Sequence, residues 1–276
     1  MKTLIANPKT LVTAGRWDID FHLPAELIRE FPKECCVPVR DVADIVKTKR
    51  DPTKDPEQTF RYVDIASVDV ITGGISNCQE VTGEEAPSRA RKVMHAYDII
   101  ISTCRPTRRA IAVIPEHLHG EICSTGFSVV RCKEETNPFY LHFALRLPST
   151  IEQFRKWSTG TSYPAILDED VEKTIIPVPS PELQDRIAEL VRTATAKRDA
   201  HVEEANNVWT SSIDGVVGAL KARSEKFGHV VYEGGRPVCR LADIRARIAS
   251  LPAVEEEANG SDLENLLFYE EDALPP

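Results

Sequence analysis

The feature that most constrains this chain is a long helix written over residues 180–228. Ser180 is placed to cap it, Pro181 fits its first turn and Glu182 answers the positive end of the helix dipole. Lys221, Arg223 and Lys226 gather at the other end, before Gly228. Between these signals, apolar or small residues recur at Leu183, Ile187, Leu190, Val191, Ala194, Val202, Ala205, Trp209, Ile213, Val216 and Leu220. That three-and-four spacing draws a stripe along one helix face. Roughly 45 residues at ~1.5 Å per residue make a rod of about 65 to 70 Å. Such a rod overshoots a small domain, so part of its stripe needs a partner. Ile187, Val191, Ala194, Val202, Ala205, Trp209 and Ile213 are the expected dimerisation residues. Gly215 and Gly218 each cost about 1 kcal/mol relative to Ala inside a helix, which implies a bend or a close backbone approach.

In front of the helix the pattern changes to an α+β reading: an N-terminal arm over residues 1–36, then a mixed, β-rich domain over 37–179. Short β-rich runs (Phe60 to Ile65, Tyr97 to Thr103, Ala110 to Ile114, Phe127 to Cys132, Thr174 to Val178) are separated by turn residues such as Thr72-Gly73-Gly74 and Glu116 to Gly120. One helix interrupts them, capped by Asn137, opened by Pro138 and running to about Trp157. In the arm, Pro24 opens a short helix that runs to Phe31. The segment Pro38-Val39-Arg40-Asp41-Val42-Ala43-Asp44-Ile45 returns as Pro237-Val238-Cys239-Arg240-Leu241-Ala242-Asp243-Ile244, so residues 229–252 read as a partial repeat, the start of a second, unfinished copy of the domain. Residues 253–276 form an acidic tail that reads as largely disordered.

Charge sharpens the picture. The net charge is −9, yet eight acidic residues lie in the tail, where no Lys or Arg stands, which leaves −1 for residues 1–252. Within that near-neutral body, Arg89, Arg91, Lys92, Arg105, Arg108 and Arg109 face Asp98 alone over residues 89–113, a local +5. A neutral protein with one basic patch can bind DNA through phosphate contacts; an ordinary solvated charged face has the same composition. The seven cysteines are odd in number and form no CxxC, so they read as reduced, mostly core thiols rather than disulfides or a zinc site. No stretch approaches the roughly 18 apolar residues of a membrane span, and the expected location is the cytosol.

Three clusters carry the donor types that meet DNA. Ser102, Thr103, Arg105, Thr107, Arg108 and Arg109 directly follow a hydrophobic strand. Lys47, Thr48, Lys49, Arg50 and Lys54 are interleaved with Asp51 and Asp55, which partly cancel their field. Thr159, Thr161, Ser162 and Tyr163 offer hydroxyls without charge. Enzyme readings are weaker. Asn137-Pro138-Phe139-Tyr140 lacks the second Pro of the Asn-Pro-Pro-Tyr motif that grips a flipped adenine, and no glycine-rich cofactor turn occurs, so Asn137 reads as a helix cap. Asp98, Glu116 and Lys133 form no compact nuclease motif, and His117 and His119 lack partners at metal spacing.

The segments KVMHAYDIIISTCRPTRRAIAVIP (Lys92 to Pro115), EICSTGFSVVRC (Glu121 to Cys132), NPFYLHFAL (Asn137 to Leu145) and STGTSYPAILDEDVEKTIIPVPSPELQDRIAELV (Ser158 to Val191) resemble, in order and spacing, the specificity subunits of type I restriction-modification systems. Such subunits usually carry two target-recognition domains and two long antiparallel helices. With one of each, this chain looks like a half-length form. The resemblance implies a non-catalytic subunit that reads half of a bipartite site in double-stranded DNA. It would dock methyltransferase subunits that hold S-adenosylmethionine and, in complexes that cleave, a restriction subunit. It assigns no cofactor to this chain and does not say which residues read bases. The alternative is an interaction module whose acidic tail mimics DNA and sequesters such enzymes.

Overall fold

The computed structural model describes residues 8–23, 25–160 and 162–222, together with 232–233, 236–237, 245 and 249. Two short helices, α1 (Pro8–Ala14) and α2 (Ile19–His22), precede β1 (Cys36–Pro38), the helical turn α3 (Val39–Val42) and β2 (Ala43–Ile45). The strands β3 (Thr59–Val63), β4 (Gln79–Thr82), β5 (Ala90–Val93), β6 (Ile99–Ser102), β7 (Ile111–Val113), β8 (Ile122–Ser124) and β9 (Phe127–Cys132) follow. Then come α4 (Pro138–Arg146), α5 (Pro148–Trp157), α6 (Asp168–Lys173), β10 (Ile175–Pro177) and the long helix α7 (Pro181–Ala222). The chain divides into two compact units, residues 1–195 and 196–276.

The run Ile99-Ile100-Ile101 explains the layering of the first unit. Side chains alternate across a strand, so a strand of consecutive isoleucines must bury both faces. β6 lies inside the sheet β2-β9-β6-β7, whose neighbours are all antiparallel. Ile99 and Ile101, with Ile111 and Val130, pack against Tyr140, Leu141, Leu145 and Phe154 of α4 and α5. Ile100, with Ala112, Phe127 and Val129, packs on Val63, Met94 and Cys123 towards the second sheet, β4-β3-β8-β5. In that sheet only β3 and β8 run parallel.

The tie between this unit and the start of α7 is polar as well as apolar. Asn137 Oδ1 accepts from Phe139 N (2.9 Å) and Tyr140 N (3.1 Å), the expected cap of α4. Its Nδ2 donates to Asp185 Oδ1 (2.7 Å), and its backbone N–H donates to Oε1 of the buried Gln184 (3.0 Å). Gln184 Nε2 in turn reaches Pro179 O (2.9 Å). Ala188 is buried in the α4–α5 core, with Ile187 packed beside it. β1 pairs with β10, which holds the segment before α7 against the beginning of the domain.

Several expectations need correction. The helix from Asn137 to Trp157 is two helices, because Pro148 cannot continue α4 and drives Leu147 into extended backbone (φ −57°, ψ 146°). The arm holds a 3-10 turn at Leu27–Glu30 in place of a helix to Phe31, with Pro24 outside the described residues. The arm packs on α5. Arg16 Nη2 donates to Ser158 O (2.7 Å), Phe21 meets the Trp157 ring edge-on, and Leu27 N donates to Glu152. Of the six described cysteines only Cys123 is buried; the others are half-buried thiols, and none forms a disulfide. The proposed repeat is described only as far as Pro237, in a hairpin of β11 (Tyr232–Glu233) and β12 (Arg236–Pro237). The rest of it and the acidic tail lie outside the described residues.

Candidate nucleic-acid interface

Antiparallel pairing of β2 with β9 and of β9 with β6 makes β2 and β6 run the same way, so the chain leaves both strands at one end of the sheet. Lys47 to Arg50 follow β2 there, and Thr103 to Arg109 follow β6. Backbone hydrogen bonds stitch further loops to this end. Arg50 N donates to Arg91 O (2.9 Å), Thr125 N to Arg89 O (2.8 Å), Thr103 N to Gly126 O (2.8 Å) and Arg105 N to Pro164 O (2.7 Å). The result is one continuous rim. Lys47, Lys49, Arg89, Thr107, Arg108 and Arg109 are exposed on it, and Arg50 and Arg105 are half-buried.

The three clusters read from sequence meet on this rim, although not every member faces out. Ser102 is 1% exposed, with its Oγ donating to Cys104 O (2.7 Å). Thr103 Oγ1 donates to Gly126 O (2.9 Å). Both hydroxyls are internal braces: Ser102 closes the buried strand β6, and Thr103, half-buried just beyond it, is tied to the loop before β9. Arg105 joins two clusters: its Nη2 donates to Ser162 O (3.2 Å), and its guanidinium lies 4.4 Å from the ring centre of Tyr163, which is 69% exposed. Ser162 is exposed, and Thr161 lies outside the described residues. Arg50 sits 5.9 Å from the Phe60 ring, and its buried Nε has no hydrogen-bond partner among the described residues.

The local +5 is spread unevenly. Asp98 is buried and held by Arg131 in a two-point bridge (2.7 and 2.8 Å), which raises the Arg131 pKa further. Arg91 lies 3.5 Å from Asp51, and Lys92 donates to Phe127 O (2.6 Å). Of the cations in residues 89–113, Arg89, Arg105, Arg108 and Arg109 therefore carry the charge presented on the rim, beside Lys47 and Lys49. Arg105 (φ 49°) and Arg109 (φ 62°) both adopt the left-handed conformation that favours glycine, a cost that marks functional loops.

Sequence reasoning missed Arg146, in the last turn of α4. Its Nη1 donates to Arg109 O (3.1 Å) and Ile111 O (3.2 Å), fixing the arginine loop from below. In the sequence it looks like any basic residue at a helix C-terminus. Among the proposed dimerisation residues, Ile187 and Val191 are half-buried and Ala194 is exposed. Ile187 packs on the core of its own domain. In the second unit Val202, Ala205, Trp209 and Ile213 are exposed. Among the described residues no helix is long and apolar enough to cross a membrane, and no cluster of His, Cys, Asp and Glu is suited to a metal ion.

The type I restriction-modification DNA specificity domain matches residues 36–208, a span that holds both four-stranded sheets, the rim and the first two thirds of α7. The chain belongs to the type I DNA specificity family. The HsdS subunit from Thermoanaerobacter tengcongensis is 36% identical, with a TM-score of 0.53 over 72% of this chain and 50% of that one. A structure describing complex assembly and conformational transition of the type I restriction-modification system gives the same identity, TM-score and coverage. This chain thus spans half the length of the specificity subunits it matches. Among curated proteins there is no match.

Proposed function

We propose that this chain recognises a sequence in double-stranded DNA and directs a partner methyltransferase to it, without a catalytic centre of its own. The carrying observation is the single rim on which Lys47, Lys49, Arg89, Arg105, Arg108 and Arg109 converge from separate loops. Cations on exposed loops engage phosphates and set register, while donors held at fixed positions on a rigid sheet end reach base edges. Family membership over residues 36–208 supports the same reading. Asn137, the residue nearest to a methyltransferase motif, is engaged through both side-chain atoms in capping α4 and bracing α7. In this reading S-adenosylmethionine and the methyl-transfer chemistry reside on the methyltransferase subunits, and a restriction subunit joins in complexes that cleave. The site is bipartite, its halves read by two recognition domains. The second is supplied by another copy of this chain, through the apolar face of α7. A module that sequesters such enzymes through its acidic tail would have no use for a basic rim.

The test is DNA binding by the full chain, alone and with a co-purifying methyltransferase. Replacing Arg105, Arg108 and Arg109 together by Ala should weaken binding to all sequences. The slope of log affinity against log salt should flatten by about 0.9 for each phosphate no longer engaged. A triple variant that binds like the wild type would remove this loop from the interface.

A further inference from the structure

One rim loop differs from the others in its surface chemistry. Between β3 and β4, the loop Asp69–Gly74 presents Val70 (45% exposed) and Ile71 (67% exposed) to solvent. The loop is rigid. The Asp69 carboxylate accepts from Ile71 N (2.8 Å) and Thr72 Oγ1 (2.6 Å), and backbone bonds close Gly73 N to Asp69 O (2.7 Å) and Asp69 N to Gly74 O (2.9 Å). Gly73, at φ +77°, is pressed on α4 so closely that a Cβ would lie 2.2 Å from His142 Nε2. Arg146 completes the mount. The guanidinium that holds Arg109 O and Ile111 O through Nη1 also donates from Nη2 to Val70 O (3.0 Å) and Ile71 O (2.6 Å). One side chain therefore sets an aliphatic tip beside the exposed Arg108 and Arg109.

We propose that Val70 and Ile71 read the DNA half-site by apolar contact with a thymine methyl in the major groove, and that Arg146 is the positioning residue that aligns them with the arginine loop. This rests on the DNA-recognition reading above. A preorganised aliphatic pair next to two cations meets a surface that is anionic at its edge and apolar within. On duplex DNA the phosphates match the arginines, and in the major groove the C5-methyl of thymine is the apolar group that distinguishes one base from another. Two aliphatic side chains aimed at phosphates would gain nothing, and in water their exposure costs apolar area without return.

The full chain, with its co-purifying methyltransferase, is first used to select sites from random duplex DNA. Each thymine of the selected half-site is then replaced by deoxyuridine, which lacks only the methyl. The expected result is one position where uracil weakens wild-type binding about four-fold, the worth of one buried methyl. Ile71→Ala or Val70→Ala should remove that sensitivity while leaving the salt slope and the urea midpoint unchanged, since both side chains are exposed. Arg146→Lys should also lose the uracil sensitivity while retaining salt-dependent binding to non-specific DNA. A half-site with no uracil-sensitive position, or uracil and alanine effects that simply add, overturns the proposal and leaves the DNA-recognition reading standing. A wild type with no sequence preference overturns both.

Discussion

His142 shows how a single residue under the rim ties its loops to pH. Its Nε2 lies 3.1 Å from Ile111 O, and burial, followed by the charge of Arg146, lowers its pKa from 6.5 to about 4. In the folded chain the imidazole stays neutral at pH values where the unfolded chain protonates it. The unfolded state then binds more protons, so this contribution to stability is intact above pH 6.5. It is lost progressively as pH falls towards 4, at up to about 1.4 kcal/mol per pH unit. Urea unfolding between pH 7 and 4 should show that slope, and His142→Gln should flatten it; equal slopes in the two proteins would refute the assignment. Gly73 supplies a second test in the same contact. Ala there meets His142 Nε2 and the Ile111 carbonyl and must also hold φ +77°. Gly73→Ala should therefore cost about 2 kcal/mol or more. An unchanged midpoint would mean that the loop rearranges freely.

At the scale of elements, Asn137 is one of the residues that join α4 to α7, and the sequence showed half of its role. Asn137 was legible as a cap because Asn-Pro before an apolar run has a local mechanism. Its bonds to Gln184 and Asp185 were not, because they depend on β10 bringing α7 back across α4. Asn137→Ala should lower stability by about 1 to 2 kcal/mol in urea unfolding; an effect near zero would show that water replaces the cap. The same division between local and non-local runs through the strands. β6, β7 and β9 were readable as runs of β-branched residues, and each is buried on both faces. β2, β4 and β5 were missed because they are short and polar in part, such as Gln79–Thr82 with two exposed residues, and owe their conformation to pairing with β9, β3 and β8. The rim was legible as three sets of donors. Which of them face out was not, because that depends on where β6 ends and on which loop lies against it: Ser102 closes the strand, Thr103 is bonded to Gly126 O, and Arg108 and Arg109 stand exposed in the loop beyond.

For the whole molecule, the decisive question is what covers α7. In the second unit Val202, Trp209, Ile213 and Val217, which share one face of the helix, are all exposed, with Trp209 at 68%. A band of this kind over several helical turns marks an association surface. In the proposed dimer a second copy would supply a matching band, and two-fold symmetry, the commonest for identical chains, would bring the same face of both helices together. The proposed dimer then carries two identical readers in inverted orientation, so its site is an inverted repeat with a fixed gap. Sedimentation at micromolar concentration should give a dimer that persists in high salt, because an apolar seam is not screened. The variants that test it belong on the exposed part of the helix. Ile187 packs on its own domain, so Asp there would confound folding with association. Trp209→Asp combined with Ile213→Asp should give a monomer with unchanged helicity, weakened binding to the full inverted repeat and unaltered binding to an isolated half-site. A wild type that is monomeric at that concentration, or a complex holding one copy and no second recognition domain, would sink the proposed pairing while leaving the basic rim and its test intact.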